Sequence, residues 1–206
     1  MKKFSNKYII IFTVILVAVV AVVLTVVAVG LRPRQLRNQE IEKKQLLLRA
    51  VGVEASTAQA EALYAECITD TATEEGLPYY LFRVVREGNN LSYGTIIPFN
   101  GNGLWGPIWG YIAFDPDYTV VGAVFDHQGE TPGLGGEIAS EKFAGRFVGK
   151  SILEGGSPTP IVLKKHADPK ALHEVDAISG GTMTSNGVTQ MLADGIEAYR
   201  DLIATE

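Results

Sequence analysis

Ile108-Trp109-Gly110-Tyr111-Ile112-Ala113-Phe114, then Asp115-Pro116-Asp117-Tyr118-Thr119, then Val120-Val121-Gly122-Ala123-Val124-Phe125-Asp126: two runs of aromatic and β-branched residues separated by turn formers. Such runs fit a pleated, half-buried surface, and the short polar connection predicts an antiparallel pair. Upstream, Tyr79 to Arg86 and Leu91 to Phe99 have the same character and predict two more strands. Downstream the period changes. Ser140 to Leu153 predicts a helix with Phe143, Phe147 and Val148 on one side, and Ile161 to Lys164 a short strand. Val188, Met191, Leu192, Gly195, Tyr199 and Leu202 fall at helical spacing and predict the C-terminal helix. Strands grouped together with helices beside them predict an α+β domain.

The chain before Gly76 has a different composition. No charged residue occurs from Tyr8 to Leu31, a run longer than the ~20 residues that cross a bilayer as a helix. A core helix would need a polar face, and a signal peptide a shorter apolar region and a small-residue cleavage site. The run therefore predicts an uncleaved anchor. Lys2, Lys3 and Lys7 precede it and Arg32, Arg34 and Arg37 follow it, so charge alone leaves its orientation open. Gln35 to Val51 and Ala55 to Ile68 predict two further helices. The expected organisation is a tail (residues 1–7), a membrane span (8–31), a helical stalk (32–75) and a soluble domain (76–206).

Composition narrows the function. The formal charge of −5 and a pI near 5.3 oppose nucleic-acid binding, which needs a basic footprint. A single cysteine, Cys67, excludes an intrachain disulfide and a cluster held by this chain's thiols, and its amphipathic setting predicts a packed thiol. His127, His166 and His173 are too scattered to predict a metal site; His166 and His173 are expected on the surface.

Three glycine-rich segments remain. Gly101-Asn102-Gly103-Leu104-Trp105-Gly106 has the spacing of a dinucleotide fingerprint, but a strand follows it where a phosphate-binding helix is required, so it predicts a tight turn. Gly129-Glu130-Thr131-Pro132-Gly133-Leu134-Gly135-Gly136 is either a plain connection or a loop whose backbone meets the polar edge of a planar ligand; composition leaves both open. Asp176-Ala177-Ile178-Ser179-Gly180-Gly181-Thr182-Met183-Thr184-Ser185-Asn186-Gly187 holds four hydroxyls and three glycines just before the final helix. One cap residue would suffice there; the surplus suits a phosphate at a helix N-terminus.

Taken together, the Arg-Pro-Arg boundary, the Gly-Leu-Trp-Gly turn, the Gly-Glu-Thr-Pro-Gly-Leu-Gly-Gly-Glu loop and the Ser-Gly-x-Thr-x-Thr-Ser-Asn-Gly-Val segment give the chain a resemblance that covers nearly all of it. It resembles the C-subunit family of the sodium-translocating NADH:quinone reductases, among the covalent FMN-binding domains. The resemblance implies FMN joined through its phosphate to the last hydroxyl of Asp-x-x-Ser/Thr-Gly-Ala-Thr, which here is Thr182, with Gly181 standing where the family has Ala. It implies Ser179, Gly180 and Gly181 around the phosphate, and the isoalloxazine against Glu130, Thr131, Leu134 and Gly135, with Trp105 and Leu134 covering its faces. Asp176 is expected to serve recognition by a flavin transferase. No catalytic residue is expected, because a tethered electron carrier needs position and tuning rather than a general base. The implied partners are the other subunits of an NADH-to-quinone complex that exports sodium, the transferase and the lipid bilayer. The implied location is the inner membrane, with the N-terminus cytoplasmic and the domain periplasmic. The G subunit of an ion-pumping ferredoxin:NAD oxidoreductase shares the second loop, and a non-redox membrane adaptor is the alternative of another class.

Overall fold

The computed structural model describes residues 5–86 and 90–204; residues 1–4 of the expected tail lie outside them. The chain divides into two compact units between Glu42 and Lys43. Helix α1 (Asn6–Ala50) runs through the division without a break, and Pro33 lies inside it. The two helices expected on either side of Arg32-Pro33-Arg34 are therefore one. A single proline removes one N–H from the ladder, a local loss within 45 residues of helix. In the first unit the apolar side chains from Tyr8 to Leu31 are exposed, and the helix is long and apolar enough to cross a membrane. The end of α1 is different: Leu46, Leu47, Leu48 and Ala50 are buried in the second unit.

The second unit is built on a five-stranded antiparallel sheet in simple order: β1 (Ile68–Glu74), β2 (Leu77–Arg86), β3 (Asn90–Asn102), β4 (Pro107–Phe114) and β5 (Val120–His127). The four expected strands are present, somewhat longer, and β1 is an addition to them. Its residues Ile68-Thr69-Asp70-Thr71-Ala72-Thr73-Glu74 bury only Ile68, so this edge strand has no apolar alternation to betray it. It pairs with β2 through Thr71↔Tyr80 and Glu74↔Leu77. The expected stalk over 32–75 thus gives way to a helix end, a short helix α2 (Ala60–Cys67) in place of 55–68, and a strand of the sheet.

Apolar side chains cover both faces. On one face Tyr80, Phe82, Val84, Ile96 and Val124 pack with Leu46, Leu47, Leu48, Val51 and the buried Cys67. On the other, Ile97, Phe99, Ile108, Ile112 and Phe125 pack with the C-terminal elements. There the helix expected over 140–153 is broken: a 3₁₀ turn (Gly135–Ala139), the four-residue α3 (Glu141–Ala144), and a second 3₁₀ turn (Gly145–Phe147). Gly149, with φ of +80°, ends the helical path. Phe143 and Phe147 are buried against Phe125, whereas Val148 faces solvent. Two small pairs follow: the hairpin β6 (Leu153–Glu154) with β7 (Ser157–Pro158), and β8 (Val162–Lys164), the strand expected over 161–164, parallel to β9 (Glu174–Asp176). Helix α4 (Thr182–Ala198) lies on β3, burying Val188, Met191, Leu192 and Ile196, and α5 (Arg200–Ile203) follows it.

Candidate functional site

The three glycine-rich segments meet at one end of the domain. Gly103 to Gly106 turn β3 into β4, with the Gly103 amide donating to the Gly106 carbonyl at 2.8 Å. The second segment leaves β5 and enters the 3₁₀ turn, with the Leu134 and Gly136 amides both donating to the Thr131 carbonyl. The third runs from β9 to the start of α4. Between them is a cavity of about 340 Å³ lined by Leu104, Trp105, Glu130, Thr131, Leu134, Gly135, Gly180, Gly181, Thr182, Met183 and Thr184. Eight of the residues implied from sequence are in that lining. Ser179 is exposed beside it, and Asp176 lies apart at the end of β9, where its Oδ1 accepts from the Ala167 amide at 2.9 Å. Leu104, Met183 and Thr184 escape a reading of the sequence, because nothing local shows which side chains of a turn or first helical turn face inward.

The glycines have specific neighbours. A Cβ on Gly101 would meet Met191 of α4, and one on Gly103 would meet Glu130 Oε1 at 2.5 Å. A Cβ on Gly187 would meet the Asn102 carbonyl oxygen at 2.3 Å. Packing of the hairpin on α4 and on Glu130 thus accounts for Gly101 and Gly103, the first two glycines of the fingerprint-like spacing. Gly180, with φ of +75°, turns the chain into the helix.

Four large apolar side chains rim the cavity and face solvent: Leu104, Leu134, Met183 and Trp105, the last 69% exposed. Exposed apolar groups gathered around a concavity mark a binding site. Below them the polar groups are sorted by burial. Thr184 is buried and its hydroxyl donates to Glu130 Oε2 at 2.5 Å. Ser185 is buried and its Oγ accepts from the Ile178 amide. Thr182 is exposed, the first residue of α4, and its hydroxyl has no protein partner among the described residues. The cap residue before it, Gly181, supplies no side-chain acceptor. The first amides of α4 therefore remain available to an anion, with the helix dipole favouring negative charge.

Glu130 is 4% exposed. Burial would raise its pKa, but the Thr184 hydroxyl and the Trp105 and Leu104 amides bring it below the ordinary glutamate value. The carboxylate is ionised at neutral pH. His127 Nδ1 accepts from the Glu130 amide at 3.1 Å, and His173 Nδ1 lies 2.8 Å from the Ser151 carbonyl, so His173 is half-buried and structural rather than a free surface residue.

Residues 103–197, which hold this apolar rim and the uncapped helix N-terminus, match the FMN-binding domain family. The chain is 30% identical to the C subunit of the Na(+)-translocating NADH-quinone reductase of Vibrio parahaemolyticus over 82% of each chain. It is 36% identical to the crystal structure of the same subunit from Parabacteroides distasonis, with a TM-score of 0.73 over 85% of this chain and 98% of that one. The Shewanella oneidensis structure, 22% identical at a TM-score of 0.62, shares the fold. The chain belongs to the C-subunit family of the Na(+)-translocating NADH-quinone reductases.

Proposed function

We propose that this chain is the electron-carrying subunit of a membrane complex that passes electrons from NADH towards quinone and exports sodium, with FMN held by a phosphoester to Thr182. The carrying observation is the sorting of hydroxyls at the start of α4. Thr184 and Ser185 are buried and committed to Glu130 and Ile178, while Thr182 is exposed, without a partner among the described residues and adjacent to the free helical amides. When bound, the flavin supplies one-electron chemistry. The chain's share is positional. The first turn of α4 neutralises the phosphate. Trp105, Leu104, Leu134 and Met183 shield the ring, and Thr131, exposed at the cavity edge, offers it a hydroxyl. A covalent tether keeps the carrier at fixed distance from its redox neighbours, the other subunits of the complex.

Helix α1 supports a single-pass anchor in the inner membrane over residues 8–31: its apolar side chains lack a protein cover, and its backbone satisfies itself. Following the family resemblance, the N-terminus is cytoplasmic and the domain periplasmic, where a flavin transferase reads the segment beginning at Asp176. The exposed position of Asp176 suits access by another enzyme. The test is the purified full chain from cells with the transferase. The protein is expected to stay yellow after denaturation, with the flavin phosphate on the peptide holding Thr182 and absent in Thr182→Ala. Flavin found on Thr184 or Ser185, or none retained by the wild type, would refute the assignment.

A further inference from the structure

Among the described residues, Glu130 is the one charged side chain buried in the domain's binding cavity, and each of its oxygens accepts a hydrogen bond. Oε1 accepts from the Trp105 amide at 2.8 Å, across 25 residues of sequence. Oε2 accepts from the Thr184 hydroxyl at 2.5 Å, across 54. The Leu104 amide, next to Trp105 in the same turn, adds to what holds the carboxylate below the ordinary glutamate pKa. One side chain therefore joins all three glycine-rich segments. Two glycines leave room for it: a Cβ on Gly103 would meet Oε1 at 2.5 Å, and one on Gly135 would meet Oε2 at 2.4 Å and the Thr184 hydroxyl oxygen at 2.2 Å. Clearance on both sides of a carboxylate, with donors at both oxygens, is the geometry of a brace.

We infer that Glu130 is a positioning residue of the flavin site: it ties the Leu104–Trp105 turn to the first turn of α4, and so sets the distance between the ring-covering side chains and the attachment threonine, without itself binding the cofactor. The inference rests on the flavin reading above. An acceptor-only carboxylate is suited to the task, since each group it meets is a donor. Charge-assisted bonds of this kind are about twice as strong as neutral ones, and they are hard to replace by water in a buried setting. Each oxygen is held by a donor from a different glycine-rich segment, which suits a brace between them. Gly103, part of the fingerprint-like spacing, thereby makes room for the Glu130 side chain.

Full-length protein in detergent provides two readouts. In the flavin-free Thr182→Ala background, Glu130→Ala is expected to accelerate hydrogen exchange at the Leu104 and Trp105 amides by on the order of tenfold, as loss of a charge-assisted bond implies. In the flavinylated protein, Glu130→Ala and Thr184→Val are expected to shift the flavin midpoint in the same direction while the covalent bond persists. The double variant should shift it no further than Glu130→Ala alone, because the Thr184 contact is already lost with the carboxylate, and Thr184→Ser should restore the wild-type value. Should Glu130→Ala fail to fold, Glu130→Gln and Thr184→Val carry the same test. Unchanged amide exchange, or a midpoint that Thr184→Val leaves at the wild-type value, overturns the inference. A wild-type protein without flavin would instead refute the flavin reading, with the exchange measurement still deciding whether the brace exists.

Discussion

Gly187→Ala sets two effects of known size against each other. Gly187 is in the first half of α4, where replacing glycine by alanine gains about 1 kcal/mol of helix propensity. The new Cβ, however, would be 2.3 Å from the Asn102 carbonyl oxygen and 3.3 Å from Gly103 Cα, whereas ordinary contact begins at 3.4 Å. All these neighbours are backbone, so no side chain can swing aside; the helix and the β3–β4 turn must part by about 1 Å. Overpacking of this kind costs about 1–3 kcal/mol. Lifting the start of α4 also strains the Thr184–Glu130 bond, and hydrogen bonds to charged groups contribute about 1.5–3 kcal/mol. The sterics outweigh the propensity, leaving a net loss of about 2 kcal/mol. For a chain of this length that lowers Tm by roughly 4–8 °C. Thermal unfolding of the full chain in detergent, followed by circular dichroism, measures it, and flavin content should fall because Thr182 moves with the helix. A Tm equal to or above that of the wild type would refute the reasoning.

Thr131→Ala is expected to keep the covalent flavin but shift its one-electron midpoint by about 40 mV, the equivalent of one net hydrogen bond of ~1 kcal/mol; redox titration checks it. Asp176→Ala frees the Ala167 amide and should cost about 1 kcal/mol of stability together with a drop in flavin occupancy, read by unfolding and by absorbance of denatured protein. The folded state holds Glu130 below the ordinary glutamate pKa, so its contribution to stability is full above the unfolded value near ~4.3 and is lost as pH falls through the folded value. The Tm advantage of wild type over Glu130→Gln should therefore be constant from about pH 7 to pH 5 and shrink only below the ordinary glutamate range.

Local periodicity made much of this protein legible without coordinates. The apolar run of α1, the aromatic and β-branched runs between turn formers from Leu77 to His127 and the 3.6-residue spacing of α4 each depend on neighbours a few positions away, and the element types follow from that. The motif ending in Thr182 is equally local, so the candidate attachment residue could be named from sequence and family resemblance. Tertiary structure decided the rest. β1 is a polar edge that exists through its pairing with β2, and Pro33 sits within a helix that its residue type alone argues against. The expected 140–153 helix is instead a 3₁₀ turn, the short α3 and a second 3₁₀ turn, and Gly149, with φ of +80°, ends the helical path before Leu153. Which hydroxyl is free, which glycine clears a side chain, and what Glu130 does are all set by contacts across 25 to 54 residues. Residue type states what a group is able to bond; only the folded chain brings its partner within reach, and burial then makes that bond costly to lose.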